Sequence, residues 1–184
     1  MEDRFIAALD ALQRLKEGND NYINSTQAIG DISQQKRHDT WANGQKPFAV
    51  IVSCSDSRVI PEAIFSVGIG DLFVIRVAGN VVGNYELGSI EYAVDHLGCK
   101  LVVVLGHTGC GAVTAALEDN CGYVKFITDE IKRAIDCERD LTKASVLNVM
   151  QSARKIQDAL SNNADVYVCG ALYHTDNGTV DFIK

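Results

Sequence analysis

Proline is almost missing from this sequence: two in 184 residues, beside fifteen glycines, which excludes a collagenous or proline-rich chain. Basic runs are missing too. Lys and Arg total 17 against 24 Asp and Glu, a net charge of −7. Such a surface repels phosphate backbones and anionic headgroups, so neither nucleic acid nor a membrane surface is an expected partner. No apolar stretch approaches the length of a bilayer span; the longest lies around residues 101–105. The opening MEDRFIAALD lacks a basic segment followed by an apolar one, so no secretory signal is read there. The expected location is therefore cytoplasmic. In that reducing compartment the six cysteines are core residues, metal ligands or nucleophiles rather than disulfides.

What is present is an ordinary globular composition, 47% hydrophobic and 22% charged, in a length suited to one domain. Residues 2–17 place Phe5, Leu9, Leu12 and Leu15 on one face, an amphipathic helix expected to end at Gly18-Asn19. Residues 24–46 are polar, with Trp41 as their apolar anchor and room for a second short helix, so residues 1–45 read as a helical arm. Apolar β-branched runs at 48–53, 73–77, 101–105 and 166–169 read as buried strands. Helical patterns at 88–97, 112–117, 124–137 and 144–160 separate them. Strand–helix alternation of this kind predicts an α/β domain, a mostly parallel sheet flanked by helices. Asn177-Gly178 marks a hairpin turn, so a strand near 179–183 should close the sheet as an antiparallel edge. No internal repeat or linker divides the chain.

Two segments carry chemistry. CSDSR, Cys54 to Arg58, follows the first strand, and GHTGCG, Gly106 to Gly111, follows LVVVL. Both fall at carboxyl ends of strands, where open α/β sheets place their sites. If those strands are neighbours, Cys54, His107 and Cys110 converge. Two thiolates and an imidazole suit Zn²⁺, and three protein ligands leave the fourth position a catalytic metal needs. Gly109 and Gly111 permit a tight backbone, and a helix starting at Ala112 would help ionise Cys110. Arg58 can hold Asp56 ionised through a two-pronged hydrogen bond. A carboxylate only accepts, so a metal-bound group beside it must be a donor, such as water or hydroxide. Asp56 could instead take the fourth position and close the site. Zn²⁺ with two thiolates is formally neutral, so a bound water should titrate above the ~7 of a three-histidine site.

Other readings fit less well. Gly106-x-x-Gly109-x-Gly111 is not the G-x-G-x-x-G of dinucleotide sites. Cys54 to Arg58 is too short and too acidic for a phosphate-cradling thiol. Cys99, Cys121, Cys137 and Cys169 lack neighbouring chemistry and read as core residues. His38, His96 and His174 stand alone, and the charges over 125–139 read as a solvated helix face.

Taken together, CSDSRVIPEAIF, GDLFVIRVAGN, GSIEYAVDHLG and VVVLGHTGCGAV, in this order, resemble the β-class carbonic anhydrases. The resemblance covers most of 45–113 and, more weakly, 167–180. It implies one Zn²⁺ per chain on Cys54, His107 and Cys110, with an Asp56–Arg58 pair at the metal. It further implies a homodimer, or a higher oligomer built from dimers, with sites at the subunit interface and the N-terminal helix packed on the neighbouring subunit. Gln45 matches a substrate-binding glutamine. Phe73 and Tyr92 match pocket residues, Tyr92 reaching in from the partner, and Gly111 is grouped with these substrate contacts. Gly79 and Asn80 match a turn near the site; Val77 stands where the family often has Asn. The implied reaction is reversible hydration of CO₂ to bicarbonate and a proton, with metal-held hydroxide as nucleophile, oriented by Asp56 and assisted by Gln45. Two rivals share the same ligands: a zinc hydrolase of COS or CS₂, and a non-catalytic, bicarbonate-responsive zinc protein.

Overall fold

Residues 49–53, AVIVS, are all buried, which only an inner strand covered on both faces can satisfy. This is β1, Ala49–Ser53, in a computed structural model that describes residues 5–25, 30–118 and 122–183. Beside it run β2, Leu72–Arg76, and β3, Leu101–His107, both parallel to it, then β4, Tyr167–Tyr173, parallel to β3. The hairpin at Asn177-Gly178 returns the chain as β5, Val180–Ile183, antiparallel to β4. The spatial order is β2-β1-β3-β4-β5. The expected α/β architecture, with its antiparallel edge, is what the chain forms.

The helices are α1, Ile6–Asn24; α2, Gln34–Asn43; α3, Pro61–Ile64; α4, Asn84–Asp95; α5, Gly111–Leu117; α6, Lys125–Ile135; and α7, Leu141–Ala159. Alternate strand residues point to opposite faces. Ile51, Val103 and Leu105 pack with Ala8 and Leu15 of α1 and with Phe65. Val50, Val52, Val102 and Val104 pack with Ile90 of α4 and with Val149 and Ile156 of α7. Each such aliphatic side chain, fully buried, contributes about 1.5–3 kcal/mol.

Several expectations change. Helix α1 does not stop at Gly18-Asn19 but continues to Asn24. Gly18 serves close packing rather than termination: a side chain there would collide with the Phe65 carbonyl. Asn19 is buried, donates to the Ile64 and Gly178 carbonyls at 3.2 and 2.9 Å, and accepts from the Val180 amide at 2.9 Å. One side chain thus ties α1 to α3 and to the hairpin. Helix α1 covers its own chain's sheet with Ala8 and Leu15 and leaves Ile6 and Leu9 exposed. Trp41 is no anchor; it is 80% exposed on α2, with His38 its ring neighbour at 5.5 Å. Cys99 and Cys169 are buried as expected, whereas Cys137 is exposed just after Asp136 turns the chain out of α6 with φ 47°. Cys121 lies outside the described residues.

Helix α7 lies close on the sheet because Gly106 and Gly170 leave room for Val149, and a Cβ on Gly170 would sit 2.6 Å from a Val149 methyl. Gly170→Ala is expected to cost about 1–3 kcal/mol as an overpacked contact. In a Val149→Ala background that cost should shrink. Urea unfolding of the four proteins of this cycle measures both values; an unchanged cost in the second background would clear Val149 as the obstacle.

Candidate metal centre

The chain leaves β1 to one side, through α3 into β2, and then crosses through α4 to β3 on the other side of β1. The direction reverses at the carboxyl ends of β1 and β3, where open α/β sheets place their sites. Cys54 follows β1, His107 ends β3, and Cys110 precedes α5. Their ligand atoms lie within 4.8 Å of one another, and all three residues are buried.

His107 is fully buried with its Nδ1 3.0 Å from the Thr108 carbonyl. A carbonyl only accepts, so the proton belongs on Nδ1 and the Nε2 lone pair is free. Among the described residues Nε2 is one of three buried side-chain polar atoms without a hydrogen-bond partner. An unpaired buried polar atom is costly. One that faces two sulfurs fits a divalent cation, and the Cys₂His set is of the kind that holds zinc.

The two sulfurs do not behave alike. The Cys110 thiol donates to Cys54, which pulls Cys54 below the ordinary thiol range, with further help from His107 and the Gly79 amide. Cys110 moves the other way, up, because it keeps the shared proton and is buried. The Ala112 and Val113 amides at the start of α5 oppose that rise. A cation between the sulfurs would replace the shared proton as the group that reconciles them.

Asp56 and Arg58 form the expected two-pronged pair. Arg58 Nε donates to Asp56 Oδ1 at 2.9 Å and Nη2 to Oδ2 at 2.8 Å, and the Arg58 amide donates to Oδ1 at 2.9 Å. These bonds hold the Asp56 carboxyl well below the usual carboxylate range, the guanidinium contributing most. Oδ2 stands 3.9 Å from His107 Nε2, so the carboxylate borders the three ligands. Arg58 Nη2 also donates to the Gly109 carbonyl at 3.2 Å, bridging the two loops.

Sequence reasoning missed Arg76. At the end of β2 it donates to the carbonyls of Cys54 (3.2 Å) and Asp56 (2.7 Å), bracing the loop that carries both. It also missed the α7 side of the turn at Ala78–Asn80. Asn148 donates to the Gly79 carbonyl at 2.7 Å and Ser152 to the Asn80 carbonyl at 3.1 Å. A signal existed: Ser145, Asn148 and Ser152 are polar residues at helical spacing among apolar core positions.

The residues expected to meet substrate divide. Gly111 opens α5 directly after Cys110, and Gly79 donates its amide to Cys54 Sγ at 3.2 Å. Gln45 is exposed before β1, at the opposite end of that strand from Cys54. Five residues of strand at about 3.3 Å each separate those ends. Phe73 pairs in register with Val50, three residues before Ser53, and meets Tyr92 of α4 at 6.2 Å between ring centroids. Tyr92 is 46% exposed. Within one chain, then, Gln45 is held away from the ligand cluster, and Phe73 and Tyr92 form a neighbouring aromatic patch.

Residues 49–145 match the family model described as carbonic anhydrase. The chain is 37% identical to carbonic anhydrase 2 of Mycobacterium tuberculosis over 91% of its own length and 89% of the relative's. Its fold is similar to the solved β-carbonic anhydrase CafA of Aspergillus fumigatus, with TM-score 0.71 and 28% identity over 82% of this chain and 83% of that one. It is also similar to tetrameric β-carbonic anhydrases of Sordaria macrospora, with TM-score 0.71 and 26% identity over 82% and 87%. The family match over residues 49–145, the identity to a curated carbonic anhydrase across most of the chain and the shared fold place this chain in the β-carbonic anhydrase family.

Proposed function

We propose that the chain catalyses the reversible hydration of CO₂ with one Zn²⁺ held by Cys54, His107 and Cys110. The observation that carries this reading is the unpartnered His107 Nε2 beside two buried sulfurs, with the Arg58-paired Asp56 at the edge. When bound, the zinc supplies Lewis acidity that lowers the pKa of water and provides a nucleophile at accessible pH.

The chain's own residues do the rest. Cys54 and Cys110, as thiolates, cancel the ion's formal charge. Asp56, pinned by Arg58, presents an acceptor-only oxygen beside the ligands, so it selects and orients a donor there. Its pairing with Arg58 keeps it available for that role instead of binding the ion as a fourth ligand. Gly111 gives open backbone beside Cys110, since nothing beyond its chain neighbours and its own helix backbone lies within 4 Å of where its side chain would be. CO₂ is uncharged and apolar, and Phe73 and Tyr92 are suited to lining its approach. Gln45 is suited to donating to an oxygen that gains charge. Its place at the far end of β1 supports a homodimer in which a second copy completes the pocket. The tetrameric relatives fit an assembly built from such pairs.

Stopped-flow CO₂ hydration with zinc stoichiometry tests the proposal. One zinc per chain with turnover is expected; one zinc per chain without turnover at alkaline pH overturns the enzymatic reading. Asp56→Ala should keep its zinc and lose about 100-fold in turnover, the scale of lost orientation at a reacting centre. Loss of the metal instead would make Asp56 a ligand.

The pH profile follows from the same groups. A depressed carboxyl is ionised above its own low pKa and loses that charge only on strong acidification, so Asp56 stays ionised from mildly acid to alkaline solution. The rate should climb towards alkaline pH with an inflection above the ~7 of a three-histidine zinc site, because two thiolates replace two imidazoles. No second inflection from Asp56 is expected down to about pH 5, a unit above an ordinary aspartate. A rate flat from acid to neutral would contradict this assignment.

A further inference from the structure

Helix α7 turns three polar side chains towards the protein interior. Ser145, Asn148 and Ser152 are 2, 2 and 5% exposed. Buried polar groups of this kind need partners. Ser145 finds its own within the helix, donating to the Leu141 carbonyl at 2.8 Å. Asn148 and Ser152 reach out of it, each to a carbonyl of the turn that follows β2.

That turn is held in an uncommon conformation. Gly79 and Asn80 are successive residues with positive φ, 68° and 45°. The left-handed region is open to Gly, but Asn pays strain there unless its surroundings fix it. A side chain on Gly79 would meet Ile131 at 2.9 Å and Ala112 at 3.0 Å, so the turn also sits wedged against α5 and α6. Its product is one aimed donor: the Gly79 amide, 3.2 Å from Cys54 Sγ in a buried setting. Asn148 grips the carbonyl of that same Gly79.

We propose that Asn148, with Ser152 beside it, is a positioning residue for the metal centre: it locks the Ala78–Asn80 turn so that the Gly79 N–H is directed at the Cys54 sulfur. The Cys54 ligand is then oriented by an N–H···S bond whose direction is set from α7, an element that supplies no ligand itself. This rests on Cys54 being a zinc ligand, as proposed above. An outer partner of this kind restricts the ligand's orientation before the metal arrives and withdraws electron density from its sulfur afterwards.

The test uses the full chain as wild type, Asn148→Ala and Ser145→Ala. Ser145 is the control because it is equally buried on the same helix but bonds only within it. Zinc affinity is read by chelator competition, and cobalt-substituted protein reports the thiolate-to-metal charge-transfer band. Asn148→Ala should weaken zinc binding about 10-fold and move the band to longer wavelength. Ser145→Ala should leave both near wild type. If Asn148→Ala does not fold, Asn148→Asp keeps the size, removes the amide donor and should show the same two changes. Wild-type affinity and band position in the Asn148 variant, or equal losses in the Ser145 control, would overturn the positioning role. If the wild type itself takes up no zinc, the metal reading fails and this role fails with it; if only the variants' equality with wild type is seen, the metal reading stands alone.

Discussion

Bringing two sulfurs and an imidazole nitrogen within 4.8 Å inside a protein is unfavourable for a bare chain. The groups lose water, and the imidazole Nε2 among them has no hydrogen-bond partner. The rest of the fold can be read as the means of enforcing that arrangement. Strands β1 and β3 are neighbours in fixed register, which sets Cys54 and His107 at adjacent strand ends. Their residues are buried on both faces, so neither strand can slip without moving a whole row of aliphatic side chains out of the core.

Around the cluster, loop geometry is fixed mainly by side chains that bind backbone carbonyls. Arg76 holds Cys54 and Asp56, Arg58 holds Gly109, and Asn148 and Ser152 hold Gly79 and Asn80. Each spans elements far apart in sequence, and each acts on a loop next to a ligand. This division suits a metal centre: short-range donors decide what binds, and long-range carbonyl contacts decide how little the donors can move. Arg58 serves in both groups, since one of its nitrogens bonds the Asp56 carboxylate and the Gly109 carbonyl together.

What could be seen in the sequence follows the same division. The strands were legible because continuous apolar β-branched runs have few other uses, and the metal-capable residues because Cys and His fall directly after those runs. Arg76 was hidden because its partners are main-chain oxygens, which every residue has and no motif spells out. Asn148 and Ser152 were half legible: polar residues on a core face announce a buried partner but not its identity. Helix α1 misled because Gly18 looks like a stop signal; its small size instead admits the Phe65 carbonyl. Trp41 misled because bulk suggests an anchor, yet a residue in a helix with no buried positions has nothing to anchor to in a single chain.

The position of Gln45 ties these threads to assembly. A parallel sheet presents its two ends to opposite sides of the domain. Here the ligand cluster occupies one end, while Gln45, α2 and exposed Trp41 occupy or adjoin the other. No rotamer change can carry a side chain over the length of a strand, about 3.3 Å for each residue of β1. If Gln45 serves a reaction at Cys54, it must serve the Cys54 of another copy. Two-fold association satisfies that need reciprocally, because each chain that lends its Gln45 end to a partner's Cys-His-Cys cluster receives the same contact in return. On the proposed reading, a tight Cys-His-Cys cluster and a separate Gln45 would be one design: the rigid part is built within a chain, and the part that would meet substrate is left to the contact between chains.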